Sequence, residues 1–127
     1  MIGAVHTLVY SDDAEATRAF MRDVLGWPAV EGGFAPGWLI FKTGPSELGV
    51  HPTGGVHEGR EYSHPRQHQI SLMCDDVEAT VAELEAKGAR FSGEITDYGF
   101  GRGINLELPD AGEIFVYQPQ HPIAYDL

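Results

Sequence analysis

A six-residue motif occurs twice in this chain, and its recurrence narrows the architectures open to it. Asp12-Asp13-Ala14-Glu15-Ala16-Thr17 returns as Asp75-Asp76-Val77-Glu78-Ala79-Thr80, and Ala19 and Ala82 extend the match. A second echo closes each half: Glu47-Leu48-Gly49-Val50-His51 answers Glu113-Ile114-Phe115-Val116-Tyr117. The echoes keep their order and nearly the same separation, 63 residues for the first and 66 for the second. One unit used twice, slightly longer in the second copy, explains both. At 127 residues the chain has the length of one domain, and its 43% apolar content is enough for a core.

Each unit reads as βαβββ. The opening strand alternates Val5, Thr7 and Val9 on one face with His6, Leu8 and Tyr10 on the other. In the second copy Ile70, Leu72 and Cys74 oppose Gln69, Ser71 and Met73. A helix follows in each. Asp12 and Asp75 are expected as N-caps, with Glu15 and Glu78 completing capping boxes. Thr17, Phe20, Met21, Val24 and Leu25 recur at helical spacing, as do Val77, Val81 and Leu84; Gly26 and Gly88 end the helices. Three strands are predicted near 29–34, 37–43 and 47–52, and three more near 90–95, 103–108 and 113–118.

The expected organisation is therefore a single α+β domain over residues 1–127. Unit one spans 4–52, a Gly-rich polar linker 53–67, unit two 68–119 and a tail 120–127. Eight Lys and Arg against 19 Asp and Glu give a net charge of −11, a field that repels phosphate backbones and anionic lipid. Nucleic acid and membranes are excluded as expected partners. Cys74 is the single cysteine, so neither an internal disulfide nor a thiolate cluster can form. The opening residues lack a basic region ahead of a long apolar run, and a cytoplasmic chain is expected.

The stretch from His6-Thr7-Leu8 through Asp13 to Phe20 and Val24-Leu25-Gly26-Trp27 resembles the opening of vicinal oxygen chelate proteins, the glyoxalase/bleomycin-resistance/dioxygenase superfamily. The ending Leu108-Pro109-Asp110-Ala111-Gly112-Glu113-Ile114-Phe115-Val116-Tyr117 resembles their closing strand. The resemblance covers roughly residues 4–119. It implies two tandem βαβββ units whose curved mixed sheets enclose a cleft, and a homodimer. It also implies a small-molecule ligand, held either through a divalent metal or without one.

Metal-using members draw four ligands from the first and last strands of each unit. His6 matches the first ligand position. Gln69 stands at the second, Gly49 at the third and Phe115 at the fourth. His68 neighbours Gln69 but points to the opposite face of a regular strand, while His51 shares the strand face of Gly49. His6 and His51 are thus the candidate metal ligands of a depleted set, and no cofactor is expected, although a divalent metal stays open. Glu47 and Glu113 flank turns and are candidate proton carriers; His57, His64 and His121 fall in linker or tail and read as solvated.

The face carrying His6 also holds Leu8, Tyr10, Gly49, His51, Gln69, Ser71, Met73, Phe115 and Tyr117. That mixture of rings, a thioether and a few hydrogen-bonding groups suits a small-molecule pocket. Phe100 or Arg102, in the Gly-rich segment 97–103, borders the same cleft in this reading, Arg102 facing an anionic group of a ligand or pairing with a surface acid. Tyr10, Gln69, Met73, Arg102, Phe115 and Tyr117 are the candidate ligand-binding residues. Two functions follow. One is a metal-free binding protein for an aromatic or hydrophobic compound. The other is a metal-dependent glyoxalase- or dioxygenase-type enzyme acting on vicinal oxygens, and whether the chain is an enzyme stays open.

Overall fold

The computed structural model of the chain describes residues 6–31 and 37–127. The fold is α+β. Its largest sheet is built by the second half: β5 (Ser71–Met73), β6 (Phe91–Asp97), β7 (Gly101–Leu108) and β8 (Gly112–Pro119), in the order β5-β8-β7-β6. Helix α2 (Val77–Ala86) joins β5 to β6. Strands β6, β7 and β8 form an antiparallel meander, and β5 lies parallel against β8, as a βαβββ unit requires. The three long strands lie within two residues of the predicted bounds at each end.

Alternation explains which way this sheet faces. Ile104, Leu106 and Leu108 of β7, with Ile114 and Val116 of β8, turn one way and are buried; Leu106 is fully so. Leu72, Cys74, Leu84, Ala89 and Phe91 join them. Phe20, Val24 and Leu25, from the first half, pack on the same cluster. The two copies therefore share a core rather than building one each.

Helix α1 (Ala14–Asp23) is held in that position by polar contacts at its start. Thr17 is buried, and its hydroxyl donates to the Pro109 carbonyl at 2.6 Å. The backbone N–H of Asp12 donates to the Asp110 carbonyl at 2.9 Å. In both helices the cap falls one residue later than predicted, on Asp13 and Asp76. Asp13 Oδ1 accepts from Ala16 N at 3.1 Å and Asp76 Oδ1 from Ala79 N at 3.0 Å. Glu15 and Glu78 then occupy the second helical position; they complement the helix dipole but close no capping box. Gly26 (φ 72°) and Gly88 (φ 93°) take the left-handed conformation just past each helix, as expected.

The first half departs from the prediction. Among the described residues its sheet is a two-stranded ladder, β1 (Ala29–Glu31) against β2 (Leu39–Phe41). Part of the strand predicted at 29–34 lies outside the described residues, as does Val5. Residues 6–10 and 47–52 form no strand. Leu48 and Val50 are 80% and 91% exposed, so pairing there would bury nothing to repay the ordering of the backbone. Conversely, segment 53–67 holds an antiparallel hairpin, β3 (Gly54–His57) with β4 (Arg60–Ser63). Glu58 (φ 50°) and Gly59 (φ 77°) form its two-residue turn, the left-handed pair that matches strand twist. The composition of this segment had indicated only a linker.

Candidate functional site

On the face of the large sheet away from the helices, the odd-numbered residues of β7 and β8 meet. Phe115 and Tyr117 stack with ring centres 5.6 Å apart and planes 16° apart. Phe100 stands edge-on to Tyr117 at 5.7 Å, and Tyr98 edge-on to Phe115 at 5.5 Å. In the ladder Gly103 stands opposite Tyr117 and Gly101 opposite Pro119, and the rings of Phe115 and Tyr117 lie diagonally across the bare backbone of Gly103 and Gly101. A Cβ on Gly103 would sit 2.7 Å from Phe115 Cε1 and 2.7 Å from the Val116 carbonyl oxygen. One on Gly101 would sit 2.6 Å from Tyr117 Cδ2. The glycines are thus what allows a four-ring platform on this face. Tyr98 and Phe100 are half exposed, so the platform is open to a ligand.

Two grooves adjoin it. The larger, about 440 Å³, runs along Tyr10, Gln69, Asn105, Glu113 and Phe115. The smaller, about 220 Å³, is lined by Gln69, Tyr98, Phe100, Asn105 and Phe115. Of the predicted ligand-binding residues, Gln69 and Phe115 line both and Tyr10 the larger. Met73 pairs with Tyr117 across β5 and β8 on the platform side. Neither groove is lined by Met73, Tyr117, His6, His51 or Arg102.

Arg102 lies on the other face. Strand β7 begins at Gly101, two residues earlier than predicted, so Arg102 falls into step with Ile104 and Leu106 and turns toward the helices. There it pairs with Glu78 of α2. The hydrogen bond from Arg102, more than its charge, holds the exposed Glu78 carboxyl below the usual carboxylate range. Arg102 therefore serves helix docking, the second of the two roles its sequence position suggested, and does not face the cleft.

The tail also differs from its reading as solvated. His121 Nδ1 lies 2.7 Å from the Pro122 carbonyl, which can only accept, so Nδ1 carries the proton. Nε2 lies 2.9 Å from the Tyr117 hydroxyl and 3.7 Å from Glu47 Oε1. Burial, with Glu47 and Tyr125 nearby, pushes the Tyr117 phenol up, which keeps it a donor at neutral pH. Glu47 Oε2 accepts from Ala124 N at 2.7 Å and so ties the tail to the first half. Glu113 accepts from Ser92 Oγ at 2.6 Å.

A family model described as the Glyoxalase/Bleomycin resistance protein/Dioxygenase superfamily matches residues 3–113, most of the chain. The chain belongs to that superfamily. Among solved structures of the fold, a lactoylglutathione lyase from Agrobacterium tumefaciens is 20% identical, with a TM-score of 0.61 over 91% of this chain and 92% of that one. An antibiotic-binding protein from a Streptomyces species is 19% identical, with a TM-score of 0.60 over 94% and 98%. A glyoxalase/bleomycin resistance protein/dioxygenase from Nocardioides is 16% identical, with a TM-score of 0.60 over 98% and 91%. No curated protein matches the chain.

Superfamily members often bind a divalent ion, and the donor set here fits one poorly. Phe115, at a ligand position, is stacked against Tyr117 and offers no lone pair. Gly49 has no side chain. His51 sits beside Tyr62 and His64, ring centres 5.6 and 5.7 Å away, and its Nδ1 faces the Pro52 carbonyl at 2.7 Å. His6 is exposed. Among the described residues no three His, Cys, Asp or Glu side chains come together to hold a metal.

Two platform residues escaped the sequence reading. Asn105 faces Phe115 directly in the β7–β8 ladder, which counting outward from the turn at 109–111 would have found. Tyr98 gave no signal beyond its place among glycines. No helix among the described residues is long and apolar enough to cross a membrane.

Proposed function

We propose that this chain binds a small aromatic or hydrophobic molecule on the Tyr98–Phe100–Phe115–Tyr117 platform, with no resident metal. The observation that carries the reading is the ring cluster laid over Gly101 and Gly103, with Tyr98 and Phe100 still half exposed. Stacking surface is what such a ligand needs, and sequestration asks for affinity alone. The antibiotic-binding neighbour is consistent with this use of the fold. A metal-dependent glyoxalase- or dioxygenase-type reaction would need at least three protein ligands, and Phe115 and Gly49 remove two. Tyr10, Gln69 and Met73 complete the proposed binding surface.

Equilibrium dialysis with naphthalene tests the reading. Saturable binding of one molecule per chain, weakened about tenfold or more in Phe100→Ala, is expected. No saturable binding of naphthalene or of any planar heteroaromatic of the same size overturns it. Elemental analysis after purification without chelator is expected to find less than one ion per chain. One tight ion per chain, lost in His6→Ala, would instead favour the enzyme.

The chain is further proposed to act as a cytoplasmic homodimer. Leu48 and Val50 of the first half are exposed apolar groups that a second copy would cover. Light scattering at the mass of one chain overturns the dimer.

A further inference from the structure

The platform has polar company of one chemical kind. Gln69 and Asn105 line both grooves and stand on either side of Phe115: Asn105 is its partner on β7, while Gln69 leads into β5 on the other flank. Among the described residues neither carboxamide makes a side-chain hydrogen bond. The smaller groove, bounded by these two and by Tyr98, Phe100 and Phe115, is lined by no carboxylate, ammonium or guanidinium group.

A carboxamide presents a carbonyl acceptor and an amino donor side by side. Its natural complement is a group with the same pair reversed, a lactam or an amidine. Rings that stack on one plane while Asn or Gln side chains read the rim are also how proteins hold heterocyclic bases. A purely hydrocarbon ligand would strip water from both carboxamides and return nothing. An anionic ligand would meet a chain of net charge −11 with no cation in the groove.

We infer that the ligand is a neutral fused heteroaromatic whose rim carries lactam or amidine groups, stacked on the platform and read by Gln69 and Asn105. The inference rests on the proposed binding function and narrows its ligand class.

Three probes of one size separate the possibilities: quinazoline-2,4-dione, naphthalene and 2-naphthoate, each titrated into the full chain at pH 7 by equilibrium dialysis. The dione is expected to bind about tenfold more tightly than naphthalene, and naphthoate most weakly. In the double variant Asn105→Leu, Gln69→Met the ratio of dione to naphthalene affinity should fall to about one. Both positions are exposed, so the fold tolerates the change. Equal affinities in the native chain, a preference the double variant leaves unmoved, or naphthoate binding best would each overturn the carboxamide reading and leave the platform standing. Failure of all three probes to bind would overturn both.

Discussion

The two halves of this chain begin their helices with motifs that differ at one position, Ala14 against Val77, yet they build very different sheets. The second half makes strands of seven and eight residues around a fully buried Leu106. Among the described residues the first makes only a short two-stranded ladder and leaves Leu48 and Val50 in solvent. A helix start is a local event, decided by a cap and a few apolar positions. A sheet is decided by the sum of burial across strands distant in sequence. Ile104, Leu106, Leu108, Ile114 and Val116 alternate over two adjacent strands and meet on one face. In the first half Leu39, Ile40 and Phe41 run consecutively, and Leu48 and Val50 surround a glycine. The repeat specified the units; the apolar pattern chose which one carries the core.

The strongest test of that contrast is Leu106→Ala. Leu106 is fully buried at the middle of the shared core, and its loss should cost about 2–5 kcal/mol of unfolding free energy in a urea titration. A cost below about 1 kcal/mol would mean that the second half does not carry the core. Gly103→Ala comes next. The added methyl meets both Phe115 and the Val116 carbonyl, and a backbone atom cannot step aside as a flexible side chain does. About 1–3 kcal/mol of destabilisation is expected. Naphthalene binding should fall with it because the ring of Phe115 must move. Unchanged stability and binding would show that the glycines are not what seats the rings.

Much of this was legible in the residues. The α+β class, both helices and β6 to β8 follow from the repeat, the caps and alternation. So does the face shared by Gln69, Phe115 and Tyr117. The misses have one cause each. Asp12 and Asp75 were expected as caps, yet the carboxylates that reach the N–H three residues on are those of Asp13 and Asp76, a choice that two adjacent aspartates leave open in sequence. Arg102 stood outside the predicted strand, so its face was undetermined, and a strand that starts two residues earlier puts it in step with Ile104 and Leu106. The hairpin at 54–63 was hidden because Glu58 is an uncommon left-handed residue, where Asn or Asp would have announced the turn. His121 acquired its partner only through the fold-back of the tail, which no local pattern encodes.

Thr17 and Thr80 sharpen the comparison at smaller scale, since they occupy the same place in the repeat. The Thr17 hydroxyl reaches out of its helix to Pro109, while that of Thr80 donates to Asp76 of its own cap at 2.7 Å. Thr17→Val should leave the Pro109 carbonyl without this donor and cost about 1–2 kcal/mol. Thr80→Val should cost clearly less in the same titration. Equal costs would mean that the bond between the halves adds nothing beyond an ordinary helix contact.

Val50→Ala is the smallest change and the one that most directly questions the first half. With the side chain 91% exposed, removing two methyl groups takes almost no apolar surface out of a buried environment. The unfolding free energy should move by no more than about 0.5 kcal/mol in dilute protein. Concentration adds a second axis. If a second copy covers Leu48 and Val50, the folded state is stabilised by association, and the penalty of Val50→Ala must grow with protein concentration because binding to the native state alone shifts the equilibrium by mass action. A penalty that is small and independent of concentration would place Val50 in solvent in every state of the protein. A large penalty even in dilute solution would mean that the first half has a core of its own, and the asymmetry between the two halves would disappear.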